Sequence, residues 1–263
     1  MILDKAAAVL KKDLLTALRY RNGFVFAVMA PAAQLATFYY LSRAIGSQFH
    51  PEGMPYFSFL IVGTGFYTFL IAGMHSFLQT VQESQQTGTL EILMTTSTPP
   101  PVLLLLSAMS AFGSGMLQLV FYLSAGLLLF AAPHVNPIGC VSVFFLSVVI
   151  SIAIGLLAAG LQIAIHKGSA VLWLLGSSAW LMAGTLFPVT ALPRPLRALS
   201  MLLPFTHSLT GIRLALLEGT NLVALTHEIE ILLLFSLLLV PLGIVFFSWT
   251  VRRARQCGTL SFY

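Results

Sequence analysis

Acidic residues are few in this chain, and only Glu228 and Glu230 lie close enough together to share a chemical task. Paired carboxylates do acid–base or metal chemistry when they converge on one point, but a spacing of two on a helix turns them apart. They read as marking the outer start of the last apolar run. Cys140 sits in an apolar stretch and Cys257 in a basic tail, so neither a disulfide nor a metal cluster is expected. None of the four lysines follows a glycine, which excludes the G-x-x-x-x-G-K-[ST] loop that cradles nucleotide phosphates. No catalytic residue and no metal ligand is assigned. Within the apolar runs His75, with Gln79 one turn on, reads either as a proton relay or as a satisfied structural residue. Gln118 and Gln162 read as hydrogen-bonding glue between helices.

These residues are set in a chain of 263 residues that is 58% hydrophobic and 8% charged, with a mean hydropathy of +0.94. Soluble domains carry about a quarter charged residues, so the expectation is an all-α integral membrane protein. The net charge of +5 comes from basic residues beside apolar runs at the two ends, the pattern that orients a chain in a bilayer, and nucleic acid is excluded as a partner. Residues 1–22 predict a retained amphipathic helix on the membrane surface. Lys5, Lys12 and Arg19 share one face, and Leu3, Ala7, Leu10, Leu14 and Leu18 line another.

A bilayer core needs about 20 apolar residues in a helix, and six windows qualify: 24–42, 57–79, 102–132, 138–165, 170–187 and 229–251. Pro133-His134-Val135-Asn136-Pro137 breaks the uncharged run between the third and fourth. Residues 188–221, with Pro188, Pro193, Pro195 and Pro204 and three arginines, predict short re-entrant helices. Arg197 or Arg213 at mid-membrane would cost roughly 2.5 to 3.5 kcal/mol. Six spans put both termini, and nine of the 13 basic residues, on the cytoplasmic side. The tail 252–263 stays there too.

That topology places QESQQTGTLEILMTTSTPPP, residues 82–101, in the cytoplasm. Its core reads as a short helix: Thr87 or Thr89 caps it, Glu91 meets the positive end of its dipole, and the prolines from Pro99 stop it. Leu90, Leu93 and Met94 form an apolar ridge at i, i+3 and i+4, suited to a groove on another protein or to the lipid surface.

Glu83, then Gly88-Thr89-Leu90-Glu91-Ile92-Leu93 and Thr98-Pro99, resembles the cytoplasmic signature of ABC-2 type transport permeases of the small bacterial type. Gly184-Thr185-Leu186-Phe187-Pro188, Leu192-Pro193, Leu203-Pro204-Phe205-Thr206-His207, Gly211-Ile212-Arg213 and Glu218-Gly219 resemble that family's stretch after the fifth span. Ser84 stands where the family commonly has Arg. The resemblance covers the whole chain and implies a transmembrane subunit of an ATP-binding cassette exporter in the bacterial inner membrane. Residues 82–98 would then be the coupling helix, with Glu83, Gly88, Thr89, Leu90, Glu91, Leu93 and Met94 meeting the ATPase. It also implies two separate ATPase subunits carrying ATP and Mg, a second copy of the chain or a paralogue, and no cofactor in this chain. Gln34, Tyr39, Phe66, Tyr67, Trp173 and Trp180 are candidates for the substrate path, and Pro188, Pro193, Pro204 and Arg213 for an external gate. The expected cargo is a drug-like molecule or small lipid, with a lipid-linked glycan as the alternative and an intramembrane lipid-modifying enzyme as a more distant one.

Overall fold

A computed structural model of the chain describes residues 21–46, 49–88, 100–130, 134–165 and 168–257. It is all-helical, 88% helix with no strand among the described residues. The long helices are α1 (Arg21–Ile45), α2 (Tyr56–Gln86), α3 (Pro100–Phe130), α4 (Pro137–Ile165), α5 (Gly168–Met182) and α8 (Leu222–Cys257). Between α5 and α8 lie two short ones, α6 (Arg194–Met201) and α7 (Pro204–Leu217).

Proline explains many of the starts. With φ fixed near the helical value and no N–H to satisfy, it suits a first turn. Pro100, Pro137 and Pro204 each open a helix, while Pro55 and Pro193 stand just before one. Pro31 and Pro241 lie inside α1 and α8.

Three helices among the described residues, α2, α4 and α8, are long and apolar enough to cross a membrane, the mark of a membrane-embedded chain. They differ in surroundings: 78% of the apolar window of α2 is buried, against 39% for α4 and 17% for α8. Helix α2 is therefore the axis of the fold, and α8 keeps an apolar flank of Leu233, Leu234, Leu237 and Leu238 outward. Helices α1 and α3 are 25 and 31 residues long. Helix α5 has 15 residues, about 23 Å at 1.5 Å per residue, because the segment expected as helix over 170–187 turns at Gly184.

Apolar burial gives little drive between helices already in lipid, so close packing and interhelical hydrogen bonds must hold them. Phe66, Phe69 and Leu70 of α2, Val143 and Ile150 of α4, Leu172 of α5, Leu209 of α7 and Leu232 of α8 form the central core. Gly155 of α4 lets Phe77 of α2 close in. Across the core, Ser151 Oγ donates to Leu70 O at 2.7 Å, Tyr67 Oη to Gly176 O at 2.5 Å, and Ser147 Oγ to Ser208 Oγ at 2.8 Å.

Several boundaries shift from expectation. Helix α2 continues through Glu83 to Gln86, the last helix begins at Leu222 rather than 229 and runs to Cys257, and residues 21–22 belong to α1. The surface helix proper and residues 89–99 of the expected coupling segment lie outside the described residues.

Candidate functional site

Polar groups concentrate at the two ends of the bundle. At one end α2 stops in a built turn: Thr87 N and Oγ1 both donate to Glu83 O at 2.9 and 2.8 Å, and Gly88, at φ +67°, donates to Gln85 O at 3.2 Å. The Glu83 carboxylate accepts from Gln79 Nε2 at 2.8 Å within its own helix. Thr89, Leu90, Glu91, Leu93 and Met94 lie outside the described residues. Behind this turn a buried carboxamide pair ties three helices together. Gln162 of α4 accepts from Gly168 N, the first residue of α5, at 2.9 Å, and its Nε2 lies 3.4 Å from Gln85 Oε1 of α2. Gln162 thus satisfies one of the orphan N–H groups at the start of α5. His75 is half-buried farther along α2.

At the opposite end Arg213 of α7 is 2% exposed. Its Nε and Nη2 donate to Phe59 O at 3.3 and 3.1 Å, Nη2 also donates to Thr185 O at 3.2 Å, and Cζ lies 3.5 Å from the centre of the Phe59 ring. No carboxylate among the described residues lies within ion-pair distance of it, although Glu52 is near enough for its charge to act on the guanidinium. Two carbonyls and an aromatic face replace water around the guanidinium, which is weakly hydrated for a cation and planar enough to do both. The first turn of α2, the turn after α5 and helix α7 are fastened at one point. Gly63 makes the room: a Cβ there would lie 1.9 Å from Nη2. Pro188 is buried at the turn that follows, Pro204 is buried at the start of α7, and Pro193 is exposed before α6. Cost alone keeps Arg213 out of the membrane interior in a reading of the sequence; the structure buries it in protein with Nε and Nη2 donating to two carbonyls.

A second fastening joins α7 to α8. His207 Nδ1 lies 2.6 Å from Glu228 Oε2, and Nε2 donates to Met201 O at 3.0 Å. Burial alone lowers the affinity of the imidazole for its second proton, but the Glu228 hydrogen bond and charge and the Met201 carbonyl outweigh it, so the His207 pKa is raised. Glu230 points elsewhere and is exposed, as the spacing of two requires. Sequence reading assigned His207 no role; its partner is 21 residues away, beyond the reach of any helical spacing rule.

The path candidates separate. Phe66 is buried against Phe144, ring centres 5.9 Å apart, and Tyr67 against Phe205 at 5.7 Å. Trp180 packs half-buried on the core, Trp173 is 69% exposed, and Tyr39 accepts from Arg43 Nη1 at 3.5 Å. Gln34 lines a cavity of about 50 Å³ between α1, α2 and α3, with Thr68, Gln118 and the ring of Tyr122. Gln118, expected to hydrogen-bond between helices, has no partner among the described residues and is exposed at the mouth of this cavity. When the chain is set against models of known families and against characterised proteins, none matches.

Proposed function

We propose that this chain is the membrane subunit of an ABC-2 type exporter, moving a lipophilic or amphipathic molecule out of the cytoplasm with ATP hydrolysed on two separate ATPase subunits. Two copies enclose the path in a bacterial inner membrane, each with six spans and both termini inside; the lengths of α1 and α3 suit that plan.

The observation that carries the reading is the placement of the signature. Helix α2, the most enclosed of the three candidate spans, runs unbroken to Gln86, and the Gly88-Thr89-Leu90-Glu91 stretch follows directly. An ATPase that closes on the Leu90, Leu93, Met94 ridge pushes on the axis of the fold. The buried Gln85–Gln162 contact passes the push to α5, and the external end, held by Arg213 with Pro188 and Pro204 around it, is the gate.

Stimulated ATP hydrolysis tests this. In proteoliposomes holding the chain with the ATPase encoded by its neighbouring gene, an added amphiphile that is cargo is expected to raise hydrolysis severalfold. A flat response across neutral, anionic and cationic amphiphiles counts against it.

A further inference from the structure

The cavity between α1, α2 and α3 is polar in an unusual way. Gln34, Thr68 and Gln118 each lie in the middle third of their helix, Gln34 half-buried and Thr68 and Gln118 exposed at the mouth, and none has a hydrogen-bond partner among the described residues; the hydroxyl of Tyr122, which also lines the space, is buried and unpartnered. Unpaired polar groups in apolar surroundings are costly, and membrane helices normally turn them onto each other. Three converging on one space call for an occupant. At about 50 Å³ the space takes a few waters or one small polar group.

Its chemistry narrows the class. No charged side chain among the described residues lines it, so an ionic group entering would lose its hydration with no counter-charge from them to replace it. A carboxamide donates and accepts at once, and a hydroxyl does the same, so the set reads hydroxyl, amide or ester groups. Around Gln118 on the outer face of α3, Leu117, Val120 and Phe121 are exposed and apolar. A neutral polar groove set in an exposed apolar face fits a molecule with an uncharged head and a hydrocarbon tail.

We infer that this cavity, within a single copy of the chain, binds the uncharged hydrogen-bonding head of an amphiphile, with Gln34, Gln118 and Thr68 as its ligands. This deepens the export reading and rests on it only in naming the bound molecule as cargo.

Photolabelling of the full chain in phosphatidylcholine nanodiscs, without ATPase, tests the site. The probes are a diazirine-bearing monoacylglycerol and the alkyl sulfonate and quaternary ammonium of equal chain length. The neutral probe is expected to label α1, α2 and α3 around the cavity at least about tenfold over either ion, and to be displaced by unlabelled monoacylglycerol. Gln34→Leu with Gln118→Leu, which removes two hydrogen-bonding partners, should lower that labelling about tenfold and leave labelling of the outward Leu237 face of α8 unchanged. Should the double variant not be recovered folded, Ala72→Phe, which fills the cavity from α2, must give the same loss. Equal labelling by neutral and charged probes, or labelling indifferent to both variants, overturns the inference. So does ready disulfide linkage of two copies through Gln118→Cys, which would give the groove to a second copy. Because no ATP is involved, failure here leaves the ATPase-driven reading standing, and failure of stimulated hydrolysis leaves the site standing.

Discussion

Replacing Leu90 and Leu93 together with Asp is expected to remove amphiphile-stimulated ATP hydrolysis, by at least about a hundredfold, while the chain still inserts and purifies as a folded protein. A leucine ridge gripped in a partner groove becomes two carboxylates that must shed water to enter it, each costing several kcal/mol after relaxation, and about 2.8 kcal/mol already corresponds to a hundredfold weaker complex. In the variant without its partner the same carboxylates stay in water at no cost, so insertion is spared. Glu91→Gln, in the same expected contact but off the apolar ridge, should lose far less, since a charge at the first turn of a helix contributes only about 0.3 to 1 kcal/mol there. Undiminished stimulation in the double Asp variant would remove these residues from the coupling contact.

Arg213→Ala is expected to destabilise the fold by about 3 kcal/mol, lowering the thermal midpoint in detergent by about 10 °C. The substitution strips the donors from Phe59 O and Thr185 O, which stay buried, and empties the volume over the Phe59 ring. Arg213→Lys should recover only part of this, because one ammonium cannot reach both carbonyls and lie flat on the ring. Gly63→Ala gives the sharper form of the same prediction. With a Cβ 1.9 Å from Nη2, the guanidinium must leave its pocket, and the loss should match or exceed that of Arg213→Ala. In the Arg213→Ala background, however, Gly63→Ala should cost far less, leaving only the 3.1 Å approach of its Cβ to Thr185 O, so the two effects are strongly non-additive. Additive losses would show that Arg213 is not held where the structure places it.

Much of this architecture could be read from residue patterns, and the exceptions share a cause. Helix follows from composition and from where prolines can stand, so Pro100, Pro137 and Pro204 locate helix starts without any knowledge of packing. Helix ends were less legible. Apolar character suggests that the fifth helix continues to 187, but the left-handed turn at Gly184 stops it and turns Thr185 O toward Arg213. The last helix begins at Leu222, ahead of its apolar run, because Leu225 is already fully buried there. What one-dimensional reading missed were pairings set by the fold. Arg213 looks prohibitively charged until Phe59, 154 residues away, supplies a carbonyl and a ring. His207 looks idle until the chain returns Glu228 to it. Among the path candidates, Phe66 and Tyr67 are buried against other rings whereas Gln34 lines a cavity, a difference that only three-dimensional neighbours reveal.

Dependence on a separate ATPase is most directly measured by comparing efflux from proteoliposomes holding this chain alone with efflux from those holding it with its neighbouring ATPase. A fluorescent neutral amphiphile would be followed with ATP and Mg sealed inside. Export is expected only when ATPase and hydrolysable ATP are both present, and only from the compartment facing the ATPase. Equal efflux from the chain alone, with no nucleotide, would contradict it.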